Sequence, residues 1–167
     1  MDNRESKIED IGRALAKAID QAWLETREST FPEMVNAYRQ IEVEYVRHAG
    51  NHEFFVLETR RRITEAILRQ AHSTEQSFRA CQDVWNELVG LGFTNLERQC
   101  TMTWFYADCC LLNEEPAAGL AVLEPLIVDI ERQLEGMTHA DTGWQQLHDE
   151  LARLKQLNDE IRASIRD

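Results

Sequence analysis

Turn-forming residues are scarce in this chain: three prolines and seven glycines serve 167 residues. A sheet protein of this size needs many tight turns, and turns draw on those residues. Their scarcity points to a few long helices. Cysteine occurs four times, at Cys81, Cys100, Cys109 and Cys110, and no Cys-x-x-Cys pair is present. On a helix the side chains of Cys109 and Cys110 point about 100° apart, which is poor geometry for a disulfide. The thiols are expected as small core hydrophobes in a reducing, cytoplasmic compartment. No apolar run of roughly 18 residues exists, so no membrane span is expected. The first ten residues are polar and acidic, unlike a secretory signal.

Positive charge is also in deficit. Eighteen Lys and Arg stand against 30 Asp and Glu, a net charge of −12. Such a chain repels nucleic-acid phosphates and anionic lipid, so neither is an expected partner. Basic proteins or peptides are favoured by the same field, although acidity alone also serves solubility. Catalytic signatures are missing as well. There is no Gly-x-Ser-x-Gly elbow, no glycine-rich phosphate loop and no Glu-x-x-His pair of the diiron bundles. His48 and His52 are four apart, but Ala49-Gly50-Asn51 breaks the helix between them. With Glu53 they make a zinc site only if that loop folds back; otherwise they are helix-terminal histidines. The chain is expected to be no enzyme, with no metal and no cofactor.

What is present is helical periodicity. The length suits one domain, and about 70 % of the unfolded surface of such a chain is buried on folding. Ile8, Ile11, Leu15, Ile19 and Trp23 make one apolar stripe over residues 7–25. Thr30 and Glu33 form a capping box for a second helix over 31–48, with Val35, Tyr38, Ile41 and Tyr45 on one face and Gly50 as a left-handed cap. A third helix, 52–72, carries Phe55 or Val56, then Thr59, Ile63, Ile67 and Ala71. Capping boxes at Ser73–Gln76 and Thr94–Glu97 open the fourth and fifth helices, and Asn113 is the expected left-handed stop. The sixth helix holds Ala118, Val122, Leu126, Ile130 and Leu134 and contains Pro125, where a kink is expected. The last helix, from about Asp141 or Thr142, carries Leu147, Leu151, Leu154, Leu157, Ile161 and Ile165. The expectation is an all-α chain of about seven antiparallel helices in consecutive hairpins, one domain over 1–167.

Two hairpins, residues 61–95 and 99–133, fall into step. Ala80 and Ala118 are 38 residues apart. Ile67-Leu68 then matches Phe105-Tyr106, Ala71 matches Cys109, Val84 matches Val122, and Leu88 matches Leu126. Large apolar residues precede each alanine by 13 and 12 positions. This pattern resembles the tetratricopeptide repeat, with Leu111–Leu120 similar to its turn and the opening of its second helix. Leu68 and Tyr106 stand where the family has glycine on the first helix. Glu75 and Asn113 replace its turn glycine, and Glu87 and Pro125 its later alanine. The resemblance implies a superhelix of α-hairpins with a concave groove for a peptide or helix of a partner protein. An up-down helical bundle is the competing architecture.

The one concentrated basic feature is Arg60-Arg61-Arg62, followed by Arg69. Arg62, Glu65, Arg69 and His72 share a helix face by their spacing. The resemblance places that face in the groove, with Cys100, Thr103, Ala107 and Cys110 at the matching positions of the second hairpin. Arginine suits two-point recognition of a carboxylate; a solvated face with a Glu65–Arg69 pair is the plainer reading. Arg62, Glu65, Arg69, His72, Thr103 and Ala107 are therefore the expected partner-binding residues of a non-catalytic adaptor, regulator or chaperone-like module. Trp23, Trp85 and Trp104 are expected in the core, and Trp144 partly exposed. The last helix, 145–167, is expected either to cap the stack or to seat a partner or a second copy of the chain. The same pattern also suits a bundle subunit that assembles through that helix, or a small-molecule sensor with an interhelical pocket.

Overall fold

The computed structural model describes residues 3–165, and among these it has seven helices and no strand. They are α1 (Asn3–Glu25), α2 (Phe31–Ala49), α3 (Glu53–Ala71), α4 (Phe78–Leu91), α5 (Leu96–Leu112), α6 (Pro116–Glu135) and α7 (Trp144–Ser164). None of the described helices is long and apolar enough to cross a membrane.

The ends show which local signals act. Glu33 accepts from both the Thr30 backbone N–H and the Thr30 hydroxyl, each at 2.8 Å, so the expected reciprocal bond of the first box is made. Those bonds hold the Glu33 carboxyl below its ordinary range. The other two boxes sit elsewhere than expected. Ser77, not Ser73, caps α4, with its hydroxyl accepting from the Ala80 N–H. Ser73 instead donates to the Gln70 carbonyl and closes α3. Asn95, not Thr94, caps α5 by accepting from the Arg98 N–H at 2.9 Å. In each case a second polar residue near the same helix start wins the cap, and it leaves a shorter helix. Asn113 does not take the left-handed stop: it has φ −97°, and Glu114 takes φ +59°. The Asn113 amide donates to the Cys109 carbonyl, which holds it in place. Gly143, with φ +88°, precedes α7, so that helix begins two or three residues later than expected. Helix α6 runs unbroken through Pro125. The carbonyl that proline leaves unbonded belongs to Ala121, which is exposed to water, as is Pro125 itself.

The chain gathers into two compact units. The first runs to Gln76 and includes Asp83–Gly92; the second takes Ser77–Gln82 and everything from Phe93. Helix α4 therefore begins in the second unit and ends in the first.

In the first unit α1, α2 and α3 all touch one another. A buried polar chain ties them. The Tyr38 hydroxyl on α2 donates to the Gln70 side chain on α3 at 2.8 Å. The Gln70 amide donates to the Thr26 hydroxyl at 2.8 Å and to the Thr26 carbonyl at 3.2 Å, just after α1. Thr26 in turn donates to the Ala22 carbonyl. All three side chains are buried, so each needs its partner. The second half of α4 is held here by polar contacts: Arg61 donates to the Leu91 carbonyl at 3.0 Å, and Arg39 on α2 bonds Glu87.

In the second unit α5, α6 and α7 are also mutually packed. Its core includes Cys100, Ala107, Leu123, Leu126, Ile130, Leu151, Leu154, Leu157 and Ile161. The small-residue position of the hairpins lies one residue later than expected. Ala80 and Ala118 are half-exposed, while Cys81 and Gly119, also 38 apart, are buried. The buried face of α6 turns with it, to Gly119, Leu123, Leu126, Ile127 and Ile130. A Cβ on Gly119 would lie 3.1 Å from Ile161 Cδ1, 3.2 Å from the Ala107 carbonyl oxygen and 3.4 Å from Cys110 Cβ. Gly119→Val is therefore expected to destabilise this unit by about 1–3 kcal/mol through overpacking. Gly119→Ala should cost less, because alanine also removes glycine's helix penalty of roughly 1 kcal/mol. Urea unfolding of the two variants checks this, and a valine variant as stable as the parent would contradict the close approach.

Candidate functional site

The arginine run does not present one face. Successive helical residues point about 100° apart, and the three guanidiniums serve three elements of their unit. Arg60 faces Glu42 of α2 at 3.9 Å. Arg61 donates to the carbonyl at the end of α4. Arg62 donates to the Gly12 carbonyl of α1 at 3.3 Å. In the last turn of α3, the Arg69 guanidinium carbon stands 5.4 Å over the Trp23 ring, also on α1. Helix α1 thus lies along the face expected to be an open groove. Arg62 is half-buried against it, and Glu65 is buried with 5 % exposure. His72 is half-buried where α3 ends, and Arg69 is exposed.

The matching residues of the second hairpin are not at the surface. Thr103 is 3 % exposed and Ala107 fully buried. Ala107 belongs to the core of the second unit, and its carbonyl borders Gly119. Small side chains at this spacing admit a neighbouring helix; that is why they sit there. Of the six residues expected to bind a partner, Arg69 is the one the structure leaves exposed, with Arg62 and His72 half-exposed beside it.

All four thiols are free and fully buried. Burial pushes the Cys100 thiol up to about 11 and the Cys110 thiol up to about 12. A hydrogen bond with Cys81, reinforced by burial, raises Cys109 as well. A nucleophilic cysteine needs an accessible, electropositive setting; these have the opposite. Among the described residues no three His, Cys, Asp or Glu side chains converge in metal-binding geometry. His52 is a cap, its Nδ1 accepting from the Phe55 N–H.

The second unit carries a surface feature that periodicity does not announce. Trp144 opens α7 half-buried, and its indole is stacked on His148 with centroids 4.8 Å apart and planes at 17°. His139, from the α6–α7 connection, meets the same indole at 3.9 Å. The connection is organised by Asp141, whose carboxylate accepts from the Thr138 N–H and hydroxyl and is held below its ordinary range by those bonds. An open hollow of about 590 Å³ adjoins this cluster, lined by Glu131, Leu134, Glu135, Met137, Leu151 and the three rings. A second hollow of about 350 Å³ lies between the start of α5 and the α6–α7 connection, over Leu96, Cys100 and Leu147. The i, i+4 spacing of Trp144 and His148 was a usable signal. His139 was not visible, because only the Thr138–Asp141 turn brings it back to the helix.

Comparison of the chain with family models, with curated proteins and with solved structures gives no match.

Proposed function

We propose that this chain is a non-catalytic interaction module of the cytoplasm, built from tetratricopeptide-like hairpins, that holds a peptide or helix of a partner protein. The observation that carries it is Arg69. It is an exposed guanidinium held over Trp23, on a helix anchored by its neighbours. Such a group is rigid enough to give a partner carboxylate two parallel hydrogen bonds at modest entropic cost. Half-buried His72 and Arg62 flank it on the same helix face. The four buried thiols fit a reducing compartment and a structural role.

The test is narrower than reversal of the whole arginine face, since Arg62 also holds α1. Arg69→Glu alone is expected to remove the partner that the parent chain recovers in affinity purification, while the helical circular dichroism signal stays unchanged and loss of the Trp23 contact, about 0.5–1 kcal/mol, lowers the melting temperature only slightly. A partner recovered equally by both chains would overturn the assignment of this surface.

A further inference from the structure

We infer that the hollow beside Trp144 is a second recognition site, which takes a lysine or arginine side chain from a basic segment of a partner protein. It belongs to the second unit, whereas Arg69 belongs to the first, and it does not depend on that assignment.

Three observations converge. The first is shape. At about 590 Å³ the hollow falls within the range of ligand sites, roughly 300–1,000 Å³. The second is the order of its lining. Leu134, Met137, Leu151 and Trp144 make an apolar floor, while Glu131 and Glu135 supply carboxylates. A long basic side chain has the complementary order, an apolar stem with a charged head that stays near water. The third is charge. Among the described residues no lysine or arginine lines the hollow. Lys155 reaches Glu131 from α7 at 2.6 Å, which leaves exposed Glu135 as the carboxylate facing an incoming cation. Asp149, beside His148 at 3.8 Å, adds to the same field. With a net charge of −12 the whole chain draws a basic segment toward it. The rings are pre-arranged: Trp144 is pinned between its contacts to His139 and His148, and the connection that carries His139 is closed by Asp141. Little ordering is left for binding to do.

The experiment titrates the full chain with an end-blocked tri-arginine peptide at physiological salt and follows the Trp144 indole N–H by ¹⁵N nuclear magnetic resonance. The signal is identified by its loss in Trp144→Phe. A saturable shift of that signal is expected, with affinity at least tenfold weaker in the Glu131→Gln, Glu135→Gln double variant. Arg69→Glu should leave the titration unchanged. Absence of a saturable shift at Trp144 overturns the site. Equal affinity in the double variant overturns it too, since the peptide would then be answering diffuse acidity. An equal shift by an end-blocked tri-glutamate peptide overturns the charge selectivity.

Discussion

A chain that stops at Gly143 is expected to lose the folded structure of its second unit. Helix α7 presents Leu151, Leu154, Leu157 and Ile161 to α5 and α6, all at 8 % exposure or less. Burying each such side chain is worth about 1.5–3 kcal/mol, so the four together supply roughly 6–12 kcal/mol. That is comparable to the entire stability of an ordinary domain, about 5–15 kcal/mol. Two polar ties go with them, Lys155 to Glu131 and Arg162 to Glu124, but exposed pairs count for little beside the apolar face. Hydrogen exchange should show the amides of α5 and α6 losing protection in the truncated chain. A last helix that serves only to seat a partner or a second copy predicts dissociation with those amides still protected. That outcome would sink the account. Among the residues of the α7 stripe, Ile165 at the end is the exposed one.

The second large effect is expected at Tyr38. Its side chain is fully buried and its hydroxyl meets Gln70. Tyr38→Ala removes a core aromatic and should cost about 3–5 kcal/mol. Tyr38→Phe keeps the ring but strips a buried carbonyl of its donor, for about 1–3 kcal/mol. Adding Gln70→Leu to Tyr38→Phe should cost less than the two changes summed, because the orphaned acceptor is gone. The hydroxyl also sets a pH response. Burial pushes it from 10.0 up to about 12. Between those values the unfolded chain has lost the proton and the folded chain keeps it. Stability is therefore full below about pH 10 and is lost as pH rises through about 12. Urea unfolding near pH 8 and near pH 11 checks this, and Tyr38→Phe should flatten part of the difference. A phenylalanine variant with the parent's stability at both would contradict the network.

Helix number and approximate extent were legible because scarce breakers and a 3.6-residue apolar period act locally. The stripe of α3, with Phe55, Thr59, Ile63, Ile67 and Ala71, is buried as the spacing predicts. Capping chemistry placed each helix start to within a few residues but did not always choose the capping residue. Thr30 caps α2 as its box predicts, while Ser73 and Thr94 yield to Ser77 and Asn95, which the same chemistry permits. The small buried positions of the two hairpins lie one residue after Ala80 and Ala118. Alanine and glycine are both small, and only the position of Ile161 across α6 shows which of them must be.

The candidate site was less legible, for a physical reason. Spacing on a helix says which residues share a face, and it does not say what covers that face. Arg62, Glu65 and Arg69 do share one, as expected, and α1 lies on it. The helices, the stripe of α3 and the acidic balance came from the sequence by itself, since propensity and periodicity are carried within a few turns of chain. Which face remained for a partner was decided by tertiary structure. It laid α1 along Arg62 and Arg69 and buried Thr103 and Ala107 inside the second unit. Those outcomes depend on residues far apart in the chain meeting in space, and no local pattern encodes that.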